Sequence, residues 1–183
     1  MKTQDLLRCS LFTALIAVGA FIKVPVPVVP FTLQFFFTTL AGLLLGPRLG
    51  TISVCAYVAL GLAGLPIFTE GGGFWYILKP SFGYLLGFCA GTFVTGWLSR
   101  RAGGGVGRDL VANLAGLAVV YAMGMGYYSW ICNAVLGSPI GLWPLILYCF
   151  LLAVPGDLAL SLLAAVLARR LRPIVAGVSA NNT

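Results

Sequence analysis

The sequence predicts an all-α integral membrane protein, a single domain over 1–183 with six transmembrane helices and both termini in the cytoplasm. Three observations carry that prediction. The 183 residues are 60% hydrophobic and only 8% charged, against about 25% charged in soluble domains, and the mean hydropathy is +1.03. Too little polar surface is available to wet a globule. Six uncharged windows approach the ~20 apolar residues that a spanning helix needs. Finally, Lys2, Arg8, Arg48, Arg100, Arg101, Arg108, Arg169, Arg170 and Arg172 fall on the termini and even-numbered loops, whereas only Lys23 and Lys79 fall on the other side. The positive-inside rule then places both termini in the cytoplasm, and the net charge of +7 becomes a signal of topology and of contact with anionic lipid, not of nucleic acid.

The first span covers residues 11–22, or starts at Leu6 if Arg8 snorkels to the surface. Ser10 and Ala14 form a small-xxx-small pair within it, extended by Ala17 and Ala20, which suits close helix approach. Pro25, Pro27 and Pro30 then break the chain. A stretch that runs into Lys23 and this proline series without a small-residue cleavage site reads as a retained helix, not a signal peptide. A short second span, 31–46, ends at a tight inner turn, Gly46-Pro47-Arg48-Leu49-Gly50, and the third covers 49–65. Glycines 71–73, 103–105 and the segment 137–139 separate the fourth (82–98), fifth (110–132) and sixth (142–168) spans, with a short cytoplasmic tail from about 170. The 24 Gly and 10 Pro are interleaved with apolar runs, so they do not indicate disorder. Trp130 and Trp143 fall where the outer interface is expected.

The composition also narrows the chemistry. There is no His, and the four carboxylates are Asp5, Glu70, Asp109 and Asp157. A Ser-His-Asp triad, metal-assisted hydrolysis and a P-loop all lack their parts, so an enzyme is not expected, nor a metal or cofactor, and any ATPase is another chain. The five cysteines are odd in number and sit singly in apolar stretches, as small apolar fillers.

Asp157, in Val154-Pro155-Gly156-Asp157-Leu158, stands near the middle of the sixth apolar run. A carboxylate there costs at least about 2.5–3.5 kcal/mol. Pro155 removes a backbone donor and Gly156 permits close approach, so a kink could open on a polar cavity. Asp157 is therefore a binding candidate, the alternative being a protonated or helix-bonded side chain. Lys79, flanked by Trp75, Tyr76 and Tyr84, is either the partner of an anionic ligand or a snorkelling interfacial lysine. Gln34 and Asn113 supply amide donors and acceptors suited to a neutral heterocycle, or to bonding between helices. Tyr121, eight residues after Asn113, lies on about the same helix face. With Tyr84 it is a candidate for the apolar part of a pocket.

Val24-Pro25-Val26-Pro27, Val29-Pro30-Phe31-Thr32-Leu33-Gln34, Leu40-Ala41-Gly42-Leu43-Leu44-Leu45-Gly46-Pro47-Arg48-Leu49-Gly50, Gly61-Leu62-Ala63-Gly64-Leu65-Pro66-Ile67-Phe68, Pro80-Ser81-Phe82-Gly83-Tyr84-Leu85-Leu86-Gly87-Phe88 and Pro155-Gly156-Asp157 follow one another along nearly the whole chain. In order and spacing they resemble the BioY family, the substrate-capture (S) components of energy-coupling factor (ECF) transporters for biotin. The resemblance implies the six-helix S-component fold in a prokaryotic cell membrane, and high-affinity capture of biotin from outside. It also implies association with a transmembrane coupling protein and two cytoplasmic ATP-binding subunits, with toppling of the S component in the membrane to deliver its ligand. In that family a small-residue face on the first helix meets the coupling protein, which makes Ser10 and Ala14 the interface residues here. The family commonly carries a lysine three residues after the aspartate of Pro-Gly-Asp, where this sequence has Leu160. If that lysine helps hold the substrate carboxylate, another cation or an amide replaces it, and Lys79 is the candidate. Asp157 would then accept from the ureido N–H groups, be protonated, or orient another side chain, since a bare carboxylate beside another is repulsive. Two rival functions follow: the same fold serving another small vitamin, and a self-sufficient secondary transporter. The lack of a chain of intramembrane ionisable residues argues against proton coupling in the latter.

Overall fold

The computed structural model describes residues 3–24, 31–101, 103, 105–137 and 141–180. Lys2, Pro25, Pro27, Pro30, Gly104 and Pro139 lie outside them. Among the described residues, five helices are long and apolar enough to cross a membrane. Four are α1 (Thr3–Phe21), α2 (Gln34–Leu62), α3 (Phe82–Arg101) and α4 (Val106–Ala134). The fifth, Trp143–Pro173, joins α5 (Leu142–Ile146), a π-turn (Leu147–Leu151) and most of α6 (Val154–Ala180).

The second and third expected spans fall together in α2, and Gly46 explains how. Its φ of 82° lies in the left-handed half of the map that glycine enters freely, and its ψ of −176° is not helical. Pro47 follows, at the start of a helical arm where a missing N–H costs nothing. The arms 34–45 and 47–62 fold back on each other: Gln34 Nε2 donates to Tyr57 Oη although the two residues are 23 apart, a separation of about 35 Å along a straight helix.

Small polar side chains join the helices where no water competes for them. Thr13 Oγ1 donates to Ser53 O at 2.9 Å, tying α1 to the second arm of α2. Thr92 Oγ1 donates to Thr38 O at 3.2 Å, tying α3 to the first arm. Thr95 Oγ1 donates to Ala112 O at 3.2 Å, and Asn113 Nδ2 to Ser161 O at 2.8 Å, linking α3 to α4 and α4 to α6. Between these bonds, Gly87 and Gly91 let α3 lie directly on Val120 and Gly116 of α4. Phe35, Tyr57, Phe68 and Phe88 build one part of the core, and Phe12, Leu40 and Ala164 another.

The two ends of the bundle differ. One gathers the arginines: Arg100 Nη2 donates to Leu45 O at 2.9 Å, and Arg172 Nη2 reaches Asp109 Oδ1 at 2.8 Å and Ser99 Oγ at 2.7 Å. The other carries a two-stranded antiparallel hairpin, β1 (Lys23–Val24) with β2 (Phe31–Thr32), and the loop 63–81. It exposes Phe74, Trp75, Trp130 and Trp143, a distribution suited to a membrane–water interface.

The last apolar run departs from a single continuous helix. Pro155 has no N–H to give, and the chain before it widens, with Leu152 N donating to Leu147 O at 3.2 Å. Helix α6 therefore begins at Val154, and Asp157 stands in its first turn rather than in mid-helix, where the helix dipole favours a negative charge. At its other end α6 continues through Pro173 to Ala180, beyond the point where the sequence placed the start of a tail.

Candidate ligand-binding site

The break before α6 faces a cavity of about 70 Å³ near the hairpin end of the bundle. Its walls come from β2, α2, the loop 63–81, α3, α4, the π-turn and the first turn of α6. Phe31, Phe35, Leu85, Phe88, Val120 and Ala153 supply the apolar part, and Thr32, Gln34, Thr69, Tyr76, Ser81, Tyr84, Tyr121, Tyr148 and Asp157 the polar groups. Much of what those polar residues expose is ring and carbon, so the lining surface is mainly apolar with placed polar atoms, which is what a small-molecule site presents. The enclosed volume is small, so a ligand of vitamin size must fill the mouth as well as the floor.

Gly156 shapes the floor. A Cβ there would stand 2.7 Å from the far end of the Phe31 ring, so glycine lets that ring lie closely on the start of α6. Next to it, Asp157 is 8% exposed, and its Oδ2 accepts a hydrogen bond from Tyr121 Oη. Among the described residues Oδ1 takes no hydrogen bond, which leaves it for a ligand donor. Tyr84 Oη donates to Cys149 O at 3.1 Å, satisfying a carbonyl of the π-turn, and its ring meets Tyr121 edge-on at 6.4 Å. Gln34 is 3% exposed and is held on both sides: Oε1 accepts from Thr32 Oγ1 at 3.2 Å, and Nε2 donates to Tyr57 Oη.

The loop 63–81 closes the cavity from the hairpin end. Phe68 packs against Tyr57 and Tyr76, with ring centroids at 5.4 and 4.5 Å. Thr69 Oγ1 and the Tyr76 hydroxyl, both on the wall, share a hydrogen bond at 3.0 Å. Lys23 Nζ donates to Thr69 O at 2.9 Å, so this lysine stands directly behind the rim.

Of the six residues singled out for binding, Gln34, Tyr84, Tyr121 and Asp157 meet on this cavity. Lys79 and Asn113 are not on its wall. Lys79 pairs with Glu70 at 2.8 Å, with side chains 41% and 48% exposed, and its Nζ lies 5.1 Å from the Tyr76 ring centre. Asn113 is fully buried. It shares a helix face with Tyr121 but stands eight residues, about 12 Å, nearer the basic end. Leu160 packs into the core between its two parts and is also off the wall. Sequence reasoning missed Thr32, Thr69, Ser81, Tyr148 and Lys23; Thr32 was the easiest of these to find, a hydroxyl two residues before Gln34, close enough to bond its amide. Ser10 and Ala14 are exposed on α1, along a shallow groove shared with Ile52 and Ala56 of α2.

Known proteins share the sequence pattern and the overall fold. The family model described as the BioY family matches residues 1–177. A Lysinibacillus sphaericus protein named "Probable biotin transporter BioY" is 42% identical over 93% of this chain and 87% of its own length. The "Biotin transporter BioY" of Thermotoga maritima is 43% identical over 67% of this chain and 72% of its own. The crystal structure of an S-component for biotin from an ECF-type ABC transporter superimposes with a TM-score of 0.79 at 34% identity, covering 94% of this chain and 92% of that one. With its fold and nearly its full length matched in this way, the chain belongs to the BioY family.

Proposed function

We propose that this chain is the S component of an ECF transporter and captures biotin from outside a prokaryotic cell for ATP-dependent uptake. The observation that carries the proposal is the pairing of Asp157 and Gln34 on one cavity. A ureido ring offers N–H donors and a carbonyl acceptor; Asp157 Oδ1 suits the first and the Gln34 amide the second, with Tyr84 and Tyr121 against the apolar body of the ligand. The valerate carboxylate then lies at the mouth, where Lys79 pairs with it by giving up Glu70. That exchange costs little, since exposed ion pairs contribute about 0–1 kcal/mol. Lys23 flanks the same rim and adds to the positive field there.

In this account the arms of α2 act as two spans, which gives six with both termini on the cytoplasmic side. The clustering of arginines at one end supports that orientation. The whole chain acts as one domain without a bound cofactor, and Asn113 ties α4 to α6 beneath the site. The energy comes from two ATP-binding subunits acting through a transmembrane coupling protein, which the exposed small-residue face at Ser10 and Ala14 fits.

Uptake of radiolabelled biotin into proteoliposomes tests the division of labour. Accumulation is expected only when the coupling protein, both ATP-binding subunits and ATP are present. Accumulation by this chain alone, without nucleotide, would instead make it a secondary transporter. Selective uptake of another vitamin would keep the fold and replace the ligand.

A further inference from the structure

Tyr57 does not line the cavity and is fully buried, yet its hydroxyl joins the cavity floor to the capping loop. Tyr57 Oη donates to Ile67 O at 3.0 Å, and a carbonyl can only accept. The single phenolic proton is therefore committed to Ile67. What remains on Oη is a lone pair, and it can be met only by a donor, which is Gln34 Nε2. Turning the Gln34 amide over would set its oxygen against the Tyr57 oxygen, or pull the phenolic proton away and leave Ile67 O unpaired. Either arrangement strands a buried polar group, which proteins avoid. On the other side, Thr32 Oγ1 donates to Gln34 Oε1, which agrees with the same orientation.

We propose that Tyr57 is a positioning residue that sets the hydrogen-bond polarity of the site: by holding the Gln34 amide in one orientation it makes the floor present an N–H there, and so selects ligands with an acceptor at that point. This rests on biotin being the ligand. The ureido carbonyl is such an acceptor, whereas the opposite polarity, N–H groups toward Asp157, is served by a carboxylate that cannot donate when ionised.

The test is the ratio of affinities for biotin and 2-iminobiotin at neutral pH, where the imino analogue is a protonated, guanidinium-like group and offers donors in place of the carbonyl oxygen. The wild type should prefer biotin by at least about tenfold. Tyr57→Phe, which keeps the ring against Phe68 but frees the amide to turn, should narrow that ratio roughly fivefold or more. Gln34→Glu, which offers no N–H at all when ionised, should narrow it further, and does not depend on how Tyr57→Phe folds. If Tyr57→Phe weakens both ligands equally, or neither, and the ratio stands, Tyr57 is only structural and the biotin assignment survives. A well-folded wild type that binds neither probe overturns both.

Discussion

Asp157→Asn lowers affinity for biotin roughly 10- to 100-fold. Tyr121 Oη donates to Oδ2 of the present carboxylate, and in the amide it would claim the side-chain oxygen. The NH₂ group would then face the cavity, donor against the ureido N–H donors. A hydrogen bond to a charged group contributes about 1.5–3 kcal/mol, and the clash of donors removes it without leaving a void. Equilibrium binding to the purified variant measures the loss. Lys79→Ala in parallel separates the two ends of the ligand, since its effect should be a few-fold at most and should vanish for biotin methyl ester. Unchanged affinity in both variants would remove the electrostatic part of the account.

Arg172→Met destabilises the fold by about 2–4 kcal/mol. Asp109 is completely enclosed at the basic end, and Arg172, 31% exposed, is its ion-pair partner. Ser99 Oγ also donates to Asp109 Oδ1, at 2.7 Å, but Oδ2 has no partner among the described residues. Removing one member of a buried pair strands the other, which typically costs about 3–5 kcal/mol; the partial exposure of Arg172 lowers that figure. For a chain of this size the melting temperature should fall by about 5–12 °C, read by intrinsic fluorescence in detergent. Combining Arg172→Met with Asp109→Asn should recover part of the loss. A double variant no better than the single one would mean that the guanidinium acts through packing and not through charge.

The architecture was largely legible because membranes leave few options: apolar runs become helices, and Gly-Pro pairs interrupt them. The Gly46-Pro47 turn follows from residue type alone, since a positive φ next to a residue without an N–H cannot continue a helix. That Asp157 faces a cavity was expected for a related reason, as a carboxylate in an apolar run needs polar surroundings. What periodicity could not supply is depth. Asn113 and Tyr121 share a face, yet only Tyr121 is level with the π-turn, and that level depends on how far α4 slides along α6. Periodicity also gave no warning that Leu147–Leu151 would widen into a π-turn. Lys79 stood among aromatic residues in sequence, but Glu70, nine residues earlier, meets it across the loop, a pairing set by how the loop folds back and not by helical or strand periodicity. Tyr57 lies inside the third apolar run, where nothing in the pattern marks it apart from its hydroxyl, which must find partners when buried.

The central claim is that this cavity binds biotin, and isothermal titration of the detergent-purified protein with biotin, with pantothenate and thiamine as controls, tests it most directly. The account predicts saturable biotin binding at nanomolar concentration and no binding of the controls. Well-folded protein that ignores biotin, or binds a control in its place, would contradict it.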